Sequence, residues 1–487
     1  MVYRDFGRWR QRKNKANQSQ FSATKGQTVA KAGGSDTITI STEFKGCDMY
    51  SMKKHAVVTT LLVGTILLTS VLGPSAEGAL KGGAAKVDIT PPIGVWLAGY
   101  GSRDKPSDGI MDNLYAKALV LDDGQNKLAI VSTDLLWITL DVTAEVRRVI
   151  REKIGIPEKN VFICATHTHF GPKIDRLAKN WPDTPASKID ESYVHTLRKK
   201  IIDSIIIANK NLEQVKIGAS KGEIPEIVYN RRTKRADGSV AMTYRLPPPE
   251  PNMTFGPVDP QVNVLRVEDE DGDLVAAMVN FACHPVSGNK NIEEFFSISA
   301  DYPGYTVKVI EQVEGGICLF ALGTAGNMNP VRINRTNPRV RIGKALGGEA
   351  LRRIQFIPTS GDVTLKAIKK SVTLPLKKDI SPDRIDPDKM KEALTTEIHV
   401  LRIGDIYIVG LPGEVLVEIG LDIKKRAGVK NLFVVSLAND AIGYVCLRQA
   451  YGDGGYEPGS GTNLAEGAGE IVTEYALSII DRIKQND

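Results

Sequence analysis

Cysteine and histidine are scarce in this 487-residue sequence, at five and six copies. No two cysteines stand close together, which excludes a thiolate zinc module or a Cys-x-x-Cys redox motif. Cys164, Cys283, Cys318 and Cys446 each sit in or beside an apolar run, where buried free thiols are expected. Export of the chain would leave room for one or two disulfides among them. A membrane-spanning stretch is also lacking. The apolar run over residues 56–72 is shorter than the roughly 20 residues a spanning helix needs. An excess of one charge is missing where it would matter. The formal balance is +6, yet beyond residue 79 the chain carries 52 Lys/Arg and 52 Asp/Glu. A body this close to neutral has no electrostatic footprint for nucleic acid, and no Lys/Arg stripe with interleaved aromatics occurs. Neither an internal repeat nor an interior linker is visible.

What is present begins with two leader-like stretches. Residues 1–51 are polar and aperiodic, with nine Lys/Arg against four Asp/Glu, and are expected to be disordered or an upstream extension. Residues 52–79 have a basic start at Met52, an apolar core and small residues before position 80, which is the build of a secretory signal peptide. An uncleaved anchor is the minority reading, and no cysteine follows the run to carry a lipid. Export, to the periplasm or the cell exterior, is the expectation.

From residue 83 strands and helices alternate. Strands are expected at 87–92, 116–121 and 128–132, the last two joined by the Asp122-Asp123-Gly124 turn of a hairpin. Helices are expected at 141–154, 192–209, 302–313, 339–354 and 414–426, with a closing helix to residue 483. Further strands fall at 161–164, 215–219, 262–268, 273–282, 317–321, 363–374, 397–403, 406–410 and 432–436. The pattern predicts an α/β fold of mixed β-sheets with flanking helices, a single domain over residues 83–487.

One stretch stands out. The apolar run 161–164 ends at Thr166-His167-Thr168-His169 and the Gly171-Pro172 turn. If the extended geometry continues, period two puts both imidazoles on one face at a strand end, where open α/β sheets place their chemistry. A lone histidine is more often a satisfied core or surface residue, and His195, on the surface of a helix, is a poor candidate. Other strands share the layout of an apolar run with polar residues at its end. One ends on His284 before Pro285, one on Leu411-Pro412-Gly413-Glu414, and one leads through Asn439-Asp440 to Tyr444. Another leads into Gly326-Asn327-Met328-Asn329-Pro330. Singly each has a plain reading: His284 packed in a core, Glu414 favouring a helix dipole. Two histidines and a carboxylate from separate strand ends are the ingredients of a catalytic zinc site with a position left for water.

Together these segments resemble the neutral/alkaline, non-lysosomal ceramidase family in its N-terminal catalytic domain, across most of residues 83–485. The resemblance implies that His167, His284, Glu414 and Tyr444 hold Zn²⁺, with Tyr444 ranked below the other three. It places His169 facing substrate, Tyr456 twelve residues after Tyr444 in the active site, and Arg231 in the substrate pocket, a role Arg232 shares as a candidate. The implied activity is that of an amidohydrolase cleaving the N-acyl bond of ceramide or a related N-acyl lipid by a metal-activated water. His169, near its ordinary pKa of about 6.5, would protonate the leaving amine. The implied partners are a ceramide-like substrate and peripheral contact with a membrane. The chain departs from the family where Asn327 replaces an aspartate and Asn329 a serine. That removes a serine mechanism and keeps the zinc-water route. Phe170 replaces another serine and makes that wall more apolar. No C-terminal immunoglobulin-like domain is expected within these residues. The departures keep two other readings open: a metal-dependent hydrolase of another amide or ester, and a non-catalytic lipid- or glycan-binding homologue.

Overall fold

Apolar runs without alternation mark strands buried on both faces, and the architecture is assembled from them. In this computed structural model the described residues are 79–174, 188–243, 246, 253–288, 293–331, 337–378 and 393–485. The extension over residues 1–51 and the signal peptide expected over 52–79, apart from its last residue, lie outside them. The described residues fall within one compact unit, Leu72–Asp487.

Strands β1 (Lys81–Asp88), β2 (Tyr115–Asp122) and β3 (Lys127–Thr133) pair antiparallel in succession. Helix α1 (Leu140–Ile154) then crosses to β4 (Val161–Ala165), parallel to β3, and α2 (Glu191–Lys210) follows. The same order recurs. Strands β5 (Lys216–Glu223), β6 (Gln261–Glu268) and β7 (Leu274–Phe281) are antiparallel, α3 (Asp301–Glu314) leads to the parallel β8 (Ile317–Leu322), and α4 (Pro338–Ile354) follows. It recurs once more with β9 (Leu365–Pro375), β10 (Ala393–Ile403), β11 (Ile406–Gly410), α5 (Val417–Arg426), β12 (Asn431–Val435) and α6 (Ala468–Gln485). Three mixed sheets thus share one topology, although no sequence period announces it.

Period two divides each strand between two cores. Leu119 and Leu121 of β2, Phe162 of β4, Leu319 of β8 and Ile408 of β11 join one inner core that all three sheets face. Alternate residues pack outward. Val120 and Ile163 meet α1 and α2; Phe320 meets α3 and α4; Val409 meets α5 and α6. Each fully buried Leu, Ile or Phe contributes about 1.5–3 kcal/mol of transfer free energy, which explains the near absence of polar residues from these runs.

The three parallel pairs point their C-terminal ends at one another. The Ser436 N–H donates to Leu322 O at 2.9 Å, and Asn280 Nδ2 donates to both Ala321 O and Val434 O, at 3.0 and 3.1 Å. Ile163 N–H donates to Asn439 Oδ1 at 2.9 Å. The polar loops that follow six strands are therefore gathered in one place. Two expectations need correction here. The first strand begins at Lys81 and ends before the prolines, because its pairing with β2 starts at once. Glu414 does not open a helix: Glu414–Val415 pairs in parallel with Tyr444–Val445, and α5 begins at Val417.

Candidate metal centre

His167 does not continue the strand before it. β4 ends at Ala165, and His167 has φ 65°, in the left-handed region that short polar residues and histidine visit more readily than others. The period-two argument for His167 and His169 therefore fails, yet their rings meet, because the turn replaces the pleat as the device that aims them. The His167 N–H donates to Leu135 O at 2.9 Å and its Nδ1 to Leu136 O at 2.7 Å, both in the loop after β3. His284, just past β7, donates Nδ1 to Ala325 O at 2.8 Å in the loop after β8. A neutral ring that donates from Nδ1 keeps its lone pair on Nε2. The two tautomers are set by backbone carbonyls.

Those lone pairs face each other. His167 Nε2 and His284 Nε2 are 2.9 Å apart, and Glu414 Oε2 lies 3.2 Å from the first and 3.3 Å from the second. Glu414 Oε2 is buried with no hydrogen-bond donor. His169 Nε2 is 3.4 Å from His167 Nε2, and ligand atoms of the three histidines lie within 4.8 Å of one another. Electron-rich atoms so close need a positive charge between them, and His284 and His169 are poor places for a proton. Burial, and then His167, lower the His284 pKa to about 4. Burial, with His167 and His284, holds His169 well below its ordinary value. Burial alone would raise the Glu414 carboxyl, but His167 and His284 hold it well below the usual range. Two neutral imidazoles and a carboxylate suit a divalent cation. A tetrahedron of bonds about 2.0–2.1 Å long has edges of about 3.3–3.4 Å, close to these separations.

His169 differs from its expected part in two ways. Its ring joins the other two imidazoles, and its pKa is held well below 6.5, so it is neutral at pH 7. The Tyr100 ring packs edge-on against it at 5.1 Å. Gly99, at φ 94°, lies so close that a Cβ there would stand 2.5 Å from His169 Cγ and Nδ1. Phe170 is fully buried, beneath the guanidinium groups of Arg103 and Arg339.

Tyr444 stands in register with Glu414. Burial, and then the Glu414 carboxylate, push its phenol well above the ordinary value against the pull of Arg231, so it stays protonated. Arg231 Nη2 donates to Tyr444 Oη at 3.0 Å, and the Tyr456 ring meets the Tyr444 ring edge-on at 5.5 Å. Arg232 turns away, toward Gly454 O at 2.8 Å and Glu457. His195 is exposed on α2. The structure thus gathers His167, His169, His284, Glu414, Tyr444, Arg231 and Tyr456 around one point. Residues that sequence reasoning passed over include Gly99, the carbonyls of Leu136 and Ala325, and the buried Glu457. Only Glu457 had a signal, an acid inside a glycine-rich loop. Asn327 holds the start of α5, accepting from Val417 N–H at 2.9 Å and donating to both oxygens of Glu418.

The sequence model described as neutral/alkaline non-lysosomal ceramidase, N-terminal, matches residues 81–319. The chain is 27% identical over 283 residues to neutral ceramidase B of Dictyostelium discoideum, covering 55% of this chain and 38% of that protein. It is 27% identical over 290 residues to the neutral ceramidase of Pseudomonas aeruginosa, covering 57% and 41%. The chain thus spans about two fifths of the length of these curated relatives. The crystal structure of the Pseudomonas aeruginosa neutral ceramidase matches with a TM-score of 0.66 at 21% identity, over 83% of this chain and 75% of that one. A ceramidase complexed with C2 matches with the same TM-score at 20% identity.

Proposed function

We propose, for a chain that belongs to the neutral/alkaline non-lysosomal ceramidase family, a zinc-dependent amidohydrolase that cleaves the N-acyl amide bond of ceramide or a related N-acyl lipid. The observation that carries the metal is the convergence of His167 Nε2, His284 Nε2 and Glu414 Oε2, with both imidazole protons turned outward onto Leu136 and Ala325. The substrate class comes from the relatives, which are named ceramidases. A divalent ion held there supplies Lewis-acid polarisation and lowers the pKa of water toward about 7.

The protein's own groups have the remaining tasks. His167, His284 and Glu414 would hold the ion, and Tyr444, protonated beside Glu414, would present its hydroxyl to it. His169, neutral and half-buried, accepts the proton that the attacking water loses. It then returns that proton to the amine nitrogen as the C–N bond breaks, so the ring ends as it began. Arg231 is a buried cation whose fork, with the Tyr456 hydroxyl, supplies donors for negative charge developing on the acyl oxygen. An amide in place of a serine at Asn329 leaves no hydroxyl there to attack, which favours water as the nucleophile.

Zinc content of the purified protein and turnover of a fluorescent N-acylsphingosine, before and after chelation, test this reading. One equivalent of zinc and turnover lost on chelation and restored by zinc are expected. Full turnover without metal would refute it, and metal with cleavage only of other amides or esters would move the substrate. His284→Ala is expected to lose both zinc and turnover. Export is proposed from the signal-like residues 52–79, and among the described residues no helix is long and apolar enough to cross a membrane. N-terminal sequencing of the exported protein is expected to start near residue 80, and retention of residues 52–79 would contradict cleavage.

A further inference from the structure

We propose that Glu457 is a positioning residue that fixes the Arg231 guanidinium and, through it, the Tyr444 hydroxyl. The inference rests on the reading above for its effect on turnover, but its geometry stands alone. Glu457 is fully buried, yet it is ionised: burial raises its carboxyl, and Arg231 and Arg232 hold it below the usual value. Its Oε1 accepts from Arg231 Nε at 2.9 Å and its Oε2 from Arg232 Nη1 at 2.9 Å. Arg232 in turn is pinned by Gly454 O at 2.8 Å. One carboxylate therefore anchors two guanidinium groups, and only one of them reaches the metal centre.

A guanidinium is planar, so fixing its Nε–H direction fixes the directions of its other four N–H groups. With Nε committed to Glu457, Nη2 donates to Tyr444 Oη at 3.0 Å and Nη1 to Asn329 Oδ1 at 3.4 Å. A lysine ammonium could satisfy Glu457 or Tyr444, but not both with set angles. Asn329 is held in the same fork. Since Arg231 can only donate, the Asn329 side chain must turn its oxygen toward it and leave its amide N–H₂ for another acceptor. Glu457 thus acts on the centre at one remove, without touching substrate or metal.

The test is a set of variants on the full chain: Glu457→Gln, Arg231→Gln and Tyr444→Phe, with the first combined with each of the others. Because Glu457→Gln removes the counter-charge of two buried cations and so threatens folding, Glu457→Gln with Arg232→Gln is a second form that preserves the net charge of the cluster. In either form kcat on N-acylsphingosine is expected to fall about 10- to 100-fold with KM changed less than about 3-fold. On an Arg231→Gln background, adding Glu457→Gln is expected to cost less than about 3-fold further, because Glu457 acts through that guanidinium. Unchanged kcat, or losses that multiply, would overturn the proposal. A readout without turnover separates this from failure of the hydrolase reading. In urea unfolding of the metal-free protein, the midpoint of the combined Glu457→Gln, Tyr444→Phe variant should match that of Glu457→Gln alone. Additive midpoint shifts would show that Glu457 only supports the fold.

Discussion

A glycine of this chain lies against the imidazole of His169. Gly99 combines a left-handed φ of 94° with a Cβ path that ends 2.5 Å from the ring. Gly99→Ala must therefore strain the backbone, by about 1–2 kcal/mol, and displace the imidazole. Turnover is expected to fall at least about tenfold while the content of the proposed ion is unchanged. Metal content and kcat/KM on one sample check this, and an unchanged kcat/KM would show that His169 has room to spare. Asp134, in the loop after β3, gives a pH prediction. Burial raises its carboxyl to about 6, against Lys117 and the Tyr115 N–H. A raised folded value means its contribution to stability is full below about pH 4 and is lost as pH rises through 6. Asp134→Asn is thus expected to stabilise the protein at pH 7.5 by up to about 3 kcal/mol and to change little at pH 4. Urea unfolding at both pH values decides it. Residues of this kind were illegible in sequence. A His-Thr-His tripeptide is conspicuous when only six histidines exist, whereas one glycine among 45 is not.

Elements aim what residues supply. Each of the three sheets lends the loops after its parallel pair, and in each the partner loop braces the residue that faces the centre. Leu136, after β3, holds His167, after β4. Ala325, after β8, holds His284, after β7. Tyr444, after β12, pairs with Glu414, after β11. Helix α5 begins three residues after Glu414, so its start bears on the site. Asn327 Oδ1 accepts from Val417 N–H, and its Nδ2 meets both Glu418 oxygens. Asn327→Asp would gain from the helix dipole about 0.3–1 kcal/mol. It would also set two carboxylates about one hydrogen bond apart and lose a charge-assisted bond, which costs about 1–3 kcal/mol. Net destabilisation at pH 7 is expected, and it should vanish when Glu418→Gln is added. Urea midpoints of the single and double variants test it, and a stabilised single variant would contradict the argument. The strands themselves were legible, because burial on both faces demands unbroken apolar runs. Glu414 as a strand residue was not, since a two-residue parallel pair has no period.

For the molecule as a whole, the proposed ion would bridge three sheets: His167 follows the first, His284 the second and Glu414 the third. An ion that binds only the folded state stabilises it by about 4 kcal/mol at 1,000 times its dissociation constant. Chelation is therefore expected to lower the unfolding temperature by on the order of 5 °C or more. Because the inner core is common to all three sheets, unfolding should remain a single transition. Calorimetry with and without chelator measures both quantities. No shift on chelation would deny the ion a bridging place, and separate transitions would mean that the sheets unfold independently.

By itself the sequence determined the α/β class, the strand ends, and the residue types brought to them, because hydrophobic period and turn chemistry are local properties. Tertiary structure alone decided that His167, His284 and Glu414 face one another, that their ring protons point away onto Leu136 and Ala325, and that Arg231 faces the centre while Arg232 does not. These are relations between residues from about thirty to more than two hundred positions apart, set by the packing of three sheets on one core. No local pattern carries the angle at which two sheets meet.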